Sequence, residues 1–272
     1  MKASKILKKI LVYGFLIIAF VASVFPFYWM ITGMTNSSVD VIKGKLTFGD
    51  QMINNLKTVF NSYDLGRIFL NSLKISLITM VLSLLISSMA AYGFEFYPSK
   101  HRDRIYNIFL LSMMIPFAAL MIPLFKLTVK FGMLDKHIAI ILTSIASVFL
   151  IFFFRQNFKS FPKEIIQAAR VDGAGEFKIF YSIVMPSMKS TYAAGAIYSF
   201  MTSWNAYLWP LIILQTDKQK TMTLLISSLS SAYFPEYGVI MTAIVIATLP
   251  MIVIFFTLQR HFVEGITGSV KQ

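Results

Sequence analysis

Long apolar stretches separated by short polar ones dominate this chain. A helix needs about 20 mostly apolar residues to cross the hydrocarbon core of a bilayer. The segments that satisfy this condition are residues 11–33, 72–95, 106–127, 138–154, 190–214 and 238–258. They are apolar on nearly all sides and lack the alternation that transmembrane strands show. The pattern therefore predicts an all-α integral membrane protein with six transmembrane helices, forming one domain over residues 1–272.

The first apolar segment has an alternative interpretation as a secretory signal, because Lys5, Lys8 and Lys9 precede it. The apolar part of a signal usually ends after about 7 to 15 residues at a cleavage site. Here the apolar run continues to Ile31. We therefore interpret it as a retained transmembrane helix.

Composition and charge support the membrane assignment and orient the chain. Apolar residues make up 57% of the chain, charged residues 14%, and the mean hydropathy is +0.70, as in integral membrane proteins. The inter-helix stretches on the side of the termini hold 15 Lys and Arg, whereas those on the other side, of similar total length, hold 8. Because basic residues accumulate on the cytoplasmic side, the chain is predicted to cross a plasma membrane several times with both termini on the cytoplasmic side.

The charge and the cysteine count also exclude several functions. The net charge of +13 is explained by topology and by attraction to anionic lipid, since no basic patch with interleaved aromatics indicates nucleic-acid binding. The chain has no cysteine, so disulfides, thiolate metal sites and thiol catalysis are excluded.

One cytoplasmic stretch, residues 155–189, is polar enough to fold outside the bilayer, and we call it the inner loop. It predicts a helix from Pro162 to Asp172, with Glu164 near the positive end of its dipole. Gly173 is suited to the left-handed position that ends a helix, and Pro186 is expected to break a second amphipathic run. The first helix is about 16 Å long at 1.5 Å per residue. This helix is too short to cross a bilayer, so we interpret it as a lateral protrusion that a partner binds. The alternative interpretation is an amphipathic connector that lies on the lipid headgroups.

Residues 167–186 of the inner loop resemble the signature of ABC importer permease subunits, E-A-A-x-x-x-G followed after nine residues by I-x-x-P. The matching positions are Ala168, Ala169, Gly173, Ile183 and Pro186. One position departs from the signature, because the glutamate of the family is Gln167 here, which keeps the hydrogen bonding but lacks the charge. The resemblance implies a coupling helix that sits in a cleft of a cytoplasmic ATPase. The candidate contacts are Glu164, Gln167, Ala168, Ala169, Arg170, Asp172, Gly173 and Pro186.

Six shorter motifs extend the resemblance along nearly the whole chain, to the smaller, six-span permease of maltose-type carbohydrate importers. They occupy residues 25–30, 71–73, 90–93, 114–116, 203–210 and 258–265. The resemblance implies a type I ABC importer bundle. It also implies a second permease subunit, two cytoplasmic ATPase subunits and an extracytoplasmic sugar-binding protein as partners.

Two features that power transport in other proteins are absent from this sequence, which agrees with energy supplied by a partner subunit. The chain has no G-x-x-x-x-G-K-[ST] phosphate loop, so it is expected to be a transport subunit rather than an enzyme. ATP and Mg²⁺ are expected on the partner ATPase. No acidic residue lies near the middle of a predicted span, where a proton or sodium relay would need one, since Glu95 lies at the cytoplasmic edge of the second span.

The solute path is less clearly indicated. The fifth span is more polar than its neighbours, and Asn205 with Trp204 or Tyr207 is a candidate sugar contact, combining hydrogen bonds with an apolar ring face. The alternative is that the aromatic residues form the outer interfacial belt and Asn205 bonds a neighbouring helix. An oligosaccharide is the expected solute, with a polyol or a sugar phosphate as the alternative. A stand-alone secondary transporter or channel and a non-transporting scaffold are the remaining alternative functions.

Overall fold

The computed structural model describes residues 2–268, and every regular element within them is helical. The α-helices are α1 (Lys2–Met34), α2 (Ser38–Ile42), α3 (Met52–Ser62), α4 (Leu65–Phe96), α5 (Lys100–Ser112), α6 (Phe117–Lys130), α7 (His137–Ser144), α8 (Val148–Phe158), α9 (Lys163–Val171), α10 (Glu176–Ile179), α11 (Met185–Ser187), α12 (Lys189–Trp204), α13 (Leu208–Ile213), α14 (Met222–Ser230) and α15 (Tyr237–Gly268). Phe180–Val184 forms a π-helical turn, and Asp217–Gln219 forms a 3₁₀ turn. The predicted all-α fold is confirmed.

Four segments of the described chain are long and apolar enough to cross a membrane. They are Lys8–Met34, Leu65–Phe96, His137–Phe158 and Tyr237–Arg260. These segments coincide with the first, second, fourth and sixth predicted spans. The fourth consists of α7 and α8, which are separated by a short break at residues 145–147.

The third predicted span, residues 106–127, is bent in the structure. α5 and α6 meet at 103° across the break between Ser112 and Phe117. Pro116 explains the bend, because it has no amide hydrogen to continue the helical ladder and it keeps Ile115 out of the helical region. Counted as one span, this bent pair is a fifth candidate crossing.

The fifth predicted span, residues 190–214, is divided. In a continuous helix the ring of Pro210 would press against the carbonyl of Ala206. The structure avoids this by ending α12 at Trp204 and starting α13 at Leu208, where the missing amide of Pro210 lies harmlessly in the first turn. α12 has 16 residues, fewer than the about 20 of a full crossing. The structure thus differs here from the six predicted spans.

The contacts divide the chain into two compact units, Met1–Leu65 with Leu225–Leu249 and Gly66–Leu224 with Pro250–Gln272. In the first unit, side-chain amides satisfy the carbonyls left free where α1 ends. Asn55 Nδ2 donates to the carbonyls of Met34 and Asn36 at 2.9 and 3.0 Å. The boundary after Leu224 falls within α14, and the boundary after Leu249 falls within α15. The interpretation of the whole chain as a single membrane domain stays a prediction.

In the second unit, α12 packs closely against α4 and α8. The hydroxyls of Ser83 and Ser199 share a hydrogen bond at 2.7 Å. A Cβ added to Gly195 would lie 2.9 Å from Leu84 Cδ2 and 3.3 Å from Phe154 Cζ. The three helices can therefore approach closely because glycine has no side chain at position 195. Small residues commonly allow such close packing between membrane helices.

We expect Gly195→Leu to destabilise the second unit, because a large side chain at this contact forces the helices apart. Overpacking of this kind costs about 1–3 kcal/mol. Gly195→Ala is expected to cost less, since the nearest atom belongs to the flexible end of Leu84. Thermal unfolding in detergent measures the effect, with Gly14→Leu as control because nothing lies within 4 Å of a Cβ there. Equal stability of the Gly195→Leu and Gly14→Leu proteins would contradict the packing role.

Candidate functional site

The first helix of the inner loop, α9, ends at Val171, and Gly173 lies at the C′ position beyond it, as predicted. Gly173 has φ +81°, a left-handed conformation that costs little only for glycine. Its amide donates to the Arg170 carbonyl at 3.0 Å, and the Ala174 amide donates to the Ala169 carbonyl at 2.9 Å. These two bonds form a Schellman motif, which satisfies the last carbonyls of a helix. The predicted C′ role of Gly173 is confirmed.

α9 has one buried and one exposed face. Ile166 and Ala169 are buried in the core cluster formed with the ends of α4 and α8. Most other predicted contact residues are exposed, including Glu164, Gln167 and Ala168, which share a face through their three- and four-residue spacing. Ala169 is the buried member of the predicted set on α9.

Val171 extends the exposed face of α9, and the predicted contact set did not include it. Its side chain is 87% exposed, which is unusual for a large apolar residue outside the bilayer. The signal was present in the sequence, because Val171 follows Glu164 by seven residues and Ala168 by three. The exposed face is therefore apolar at its end.

Four side chains hold the C-terminal end of α9, and we call Tyr92, Tyr97, Arg170 and Glu176 the loop clamp. Arg170 Nε donates to Glu176 Oε1 at 2.7 Å, and Tyr92 Oη donates to Glu176 Oε2 at 2.8 Å. The guanidinium of Arg170 also lies 5.0 Å from the centre of the Tyr97 ring. The loop clamp thus joins α9 and α10 to the end of α4.

The loop clamp keeps its carboxylate charged. The hydrogen bond from Arg170 lowers the pKa of Glu176 to about 2, although partial burial opposes this shift, and Tyr97 and Tyr92 lower the pKa further. Glu176 in turn raises the pKa of the Arg170 guanidinium. Both groups are therefore ionised at every physiological pH.

A second group of charges holds the start of α9. Arg155 Nη2 lies 3.0 Å from Asp103 Oδ1, and Arg155 Nε lies 3.4 Å from Glu95 Oε2. Lys163, the first residue of α9, lies 3.8 Å from the other Glu95 oxygen. The guanidinium of Arg155 packs 4.0 Å from the centre of the Tyr106 ring. The ends of α4 and α8 and the starts of α5 and α9 are thus joined by charge.

The second run of the inner loop does not break at Pro186, so that prediction is wrong. The chain passes from α10 through the π turn to α11, which contains Pro186 and ends at Ser187. The Met185 amide bonds the carbonyl of Phe180, five residues earlier. The π turn thus ends just before Pro186, which has no amide hydrogen to continue a helical ladder. Pro186 itself is exposed.

A cavity of about 470 Å³ lies within the second unit, and we call it the unit-two cavity. Its volume is in the range of small-molecule sites. Hydroxyl groups line it on Thr79, Thr143, Ser144, Ser147, Tyr198, Ser199, Thr202, Ser203 and Tyr207. The remaining lining residues are Phe117, Ile140, Leu150, Ala206, Leu208, Trp209 and Pro210. None of the described lining residues is charged.

The structure separates the three residues predicted for the solute path. Tyr207 lines the unit-two cavity. Trp204 is 4% exposed and stacks on Phe200 with ring centres 5.5 Å apart. Asn205 is the exposed C-cap of α12 and is outside the cavity lining. The roles of these residues toward a solute stay predictions.

Sequence reasoning missed the hydroxyl side chains at the end of α7 and in the break before α8. Thr143, Ser144 and Ser147 stand in an otherwise apolar span, and this interruption was the available signal. The Ser147 hydroxyl accepts a hydrogen bond from the Leu150 amide at 3.3 Å and so begins α8. The break between α7 and α8 therefore has a local cause in the sequence.

Comparison with known families identifies a match over most of the chain. A family model described as "Binding-protein-dependent transport system inner membrane component" matches residues 83–268. The match includes the inner loop, the unit-two cavity except Thr79, and the last helix.

Two curated proteins are similar over nearly the full length. The lactose transport system permease protein LacG of Rhizobium radiobacter is 51% identical over 265 residues, which cover 97% of each chain. The arabinooligosaccharides transport system permease protein AraQ of Halalkalibacterium halodurans is 36% identical over 276 residues, which cover 99% of each chain. Both similarities include the inner loop.

A solved structure has the same fold. It is a chain of a bacterial ABC transporter involved in the import of the acidic polysaccharide alginate, with a TM-score of 0.81 and 20% identity. The superposition covers 95% of this chain and 98% of that chain. At this identity the likeness concerns the fold alone, and it confirms the predicted type I importer bundle.

Reversing one charge of the loop clamp is expected to loosen the end of α9, because like charges then face each other. In Arg170→Glu or Glu176→Arg, amide hydrogen exchange at residues 172–177 should rise about fivefold. The double reversal is expected to restore most of the protection. Lys178→Glu, an exposed reversal in the same segment, is the matched control. Identical exchange in the single and double variants would rule out the ion pair.

The low pKa of Glu176 sets the pH range over which the loop clamp holds. Because this pKa is about 2 in the fold and 4.5 ordinarily, the stabilisation is complete above pH 4.5 and is lost only as pH falls toward 2. We expect exchange protection of residues 172–177, corrected for intrinsic rates, to stay constant between about pH 8 and about pH 5. A transition within this range that disappears in Glu176→Gln would contradict the assignment.

Proposed function

The chain belongs to the family of binding-protein-dependent transport system inner membrane components, and on this premise we propose that it is a permease subunit of an ATP-driven oligosaccharide importer. It spans the bacterial plasma membrane several times and forms half of the translocation path beside a second permease subunit. Two cytoplasmic ATPase subunits bind ATP and Mg²⁺, and an extracytoplasmic binding protein delivers the sugar. Lactose is the first solute to test, because the relative that is 51% identical is named for lactose transport.

The observation that supports coupling through the inner loop is the two-faced character of α9. One face packs into the core cluster, and charges hold both ends, so the helix is fixed to α4 and α8. The opposite face is exposed and presents small, polar and apolar groups. A surface of this kind suits a partner that approaches closely and pushes.

The proposed mechanism follows from this fixation. Nucleotide-driven closure of the ATPase subunits displaces α9, which is seated in their cleft. Because α9 packs on the ends of α4 and α8, its displacement moves these helices rather than bending the loop. Movement of one permease bundle against the other then alternates the path between inward-open and outward-open states.

The predicted coupling residues divide into three roles in this proposal. Glu164, Gln167 and Ala168 contact the ATPase, and Val171 joins them. Ala169 and Arg170 position α9 against its own chain. Asp172, Gly173 and Pro186 shape the turns that carry the helix.

On the solute path we propose Tyr207 as the contact among the three predicted residues. Its place in the wall of the unit-two cavity supports this role. Trp204 then supports the wall from behind, since it is buried and stacked on Phe200. Asn205 ends α12 beside them.

Cysteine labelling tests the proposed orientation cleanly, because the chain contains no cysteine. Phe234 is 82% exposed in the loop between α14 and α15, which is predicted outside. Lys100 is exposed at the start of α5, which is predicted inside. In intact cells an impermeant maleimide is expected to label Phe234→Cys directly. Lys100→Cys should react only after permeabilisation, and the reverse pattern would overturn the orientation.

Gly173→Val tests coupling through α9. The left-handed backbone costs a residue with a Cβ roughly 1–2 kcal/mol, so the end of α9 should shift. We expect ATP hydrolysis stimulated by the loaded binding protein, and uptake, to fall at least about tenfold while membrane insertion stays normal. Gly173→Asn should be milder, because asparagine tolerates this conformation.

Gly175→Val is the matched control for this change. Gly175 has φ −70° and ψ 155°, which any residue adopts, and a Cβ there meets nothing within 4 Å. Normal coupling in Gly173→Val, or equal loss in both variants, would argue against the proposed role of the α9 terminus.

Reconstitution of the four-component complex in proteoliposomes tests the function itself. Uptake of a neutral oligosaccharide is expected to require three things together. These are ATP on the side of the membrane where the ATPase subunits lie, the ATPase subunits themselves and the binding protein. Uptake that survives ATP depletion, from a chain that co-purifies with no ATPase, would instead establish a stand-alone transporter.

A further inference from the structure

We propose that the unit-two cavity is a solute subsite on this chain itself, built for a neutral polyhydroxy compound. The proposal rests on the proposed function and deepens it, because it assigns solute contact to this permease as well as to its partner. It is carried by the helix breaks around the cavity, by unpaired polar atoms in its wall and by the absence of charge among its described lining residues.

The walls of the cavity come from the places where the membrane helices are interrupted. Ser144 and Ser147 flank the break between α7 and α8, and Ala206 and Tyr207 lie in the break between α12 and α13. Phe117 is the first residue after the bend before α6. Irregular backbone at membrane depth is tolerated only where protein buries it or where it lines a polar cavity. Three breaks that meet at one cavity therefore indicate a hydrated path rather than a packing fault.

Several hydroxyls in the wall are available to a ligand. The side chains of Ser144, Thr202 and Ser203 make no hydrogen bond with any described residue. A hydroxyl both donates and accepts, as the hydroxyls of a sugar do, so the two sets are complementary in either direction. By contrast, Thr143 already bonds the carbonyls of Ala139 and Ile140.

Two buried groups in the same wall are unsatisfied. Thr79 is 3% exposed and Trp209 is 6% exposed, and neither Thr79 Oγ1 nor Trp209 Nε1 has a hydrogen-bond partner among the described residues. Buried polar atoms are nearly always bonded, and an indole N–H can only donate. Neither atom is itself exposed to the cavity, so these two groups mark unsatisfied polarity within the wall rather than contacts open to a solute.

The aromatic residues of the wall supply apolar ring faces. Trp209 packs edge-on against Phe117 with ring centres 6.1 Å apart, and Tyr198 packs against Phe149 at 4.4 Å. These contacts fix the rings, so a solute meets surfaces that are already ordered. Hydroxyls with fixed aromatic faces match the mixed polar and apolar surface of a saccharide.

The charge of the cavity selects against ionic solutes. The described lining contains no Lys, Arg, His, Asp or Glu. A phosphate or carboxylate would lose its hydration here without gaining a counter-ion, which is costly in a low-dielectric site. Among the solute classes considered, the cavity therefore favours a neutral oligosaccharide or polyol over a sugar phosphate.

Protection from alkylation tests whether the solute enters the cavity. The complete complex is reconstituted with this chain carrying Thr202→Cys, which introduces the chain's only thiol. The saccharide is chosen first. It is a neutral one that the wild-type complex takes up, selected from lactose, melibiose and arabinooligosaccharides. During ATP-driven turnover with this saccharide, alkylation of Thr202→Cys is expected to slow at least about fivefold, whereas glycerol 3-phosphate should give no protection. Thr257→Cys, on α15 outside the cavity, is the matched control.

Removal of hydroxyls gives an independent measurement. We expect Ser144→Ala with Thr202→Val and Ser203→Ala to lower saccharide uptake about tenfold or more, while ATP hydrolysis stimulated by the loaded binding protein changes less than about twofold. A simple folding defect would lower both rates. Thr257→Val removes a hydroxyl elsewhere and should change neither.

The two proposals fail in different ways. If the wild-type complex takes up saccharide but Thr202→Cys is alkylated equally fast with and without the saccharide, the solute bypasses this cavity. That result would overturn the subsite. If the wild-type complex takes up no neutral saccharide, the proposed function fails and the subsite fails with it.

Discussion

A helix that is interrupted inside a bilayer leaves amide and carbonyl groups without partners, and the surrounding chain must satisfy them. This constraint organises the second unit. The Ser147 hydroxyl bonds the start of α8, and the Asn205 amide closes the end of α12 on the carbonyl of Met201 at 3.0 Å. The polar groups that make the breaks tolerable also make the neighbouring space polar. The polar cavity and the set of broken helices are thus two results of one requirement.

The inner loop meets a different requirement, which is to remain rigid in water. α9 is only nine residues long, and an isolated helix of that length is unstable. Its order therefore comes from Ile166 and Ala169 in the core cluster and from the charges at its two ends. The charge-assisted bonds of the loop clamp and the Schellman turn act on the same few residues, so the exposed face is presented in one orientation.

Much of this arrangement is predictable where the cause is local. The apolar runs predict the helices, and the position of Gly173 predicts the end of α9, because both depend on a few neighbouring residues. Averaged hydropathy is insensitive to an interruption of three or four residues, so it missed the break that Pro210 imposes, although this proline was visible. The bond from Tyr92 to Glu176 joins residues 84 positions apart. No local pattern reports such a contact, and the cavity, which draws on six helices, is equally a product of tertiary structure.

The absence of charged groups from the described wall of the unit-two cavity has an electrical consequence. Moving one elementary charge through a membrane potential of 100 mV involves about 2.3 kcal/mol. A neutral solute that passes an uncharged wall moves no charge at this step, so the membrane potential neither drives nor opposes its passage. Under the proposed function, accumulation of the solute depends on nucleotide supply and not on the membrane potential.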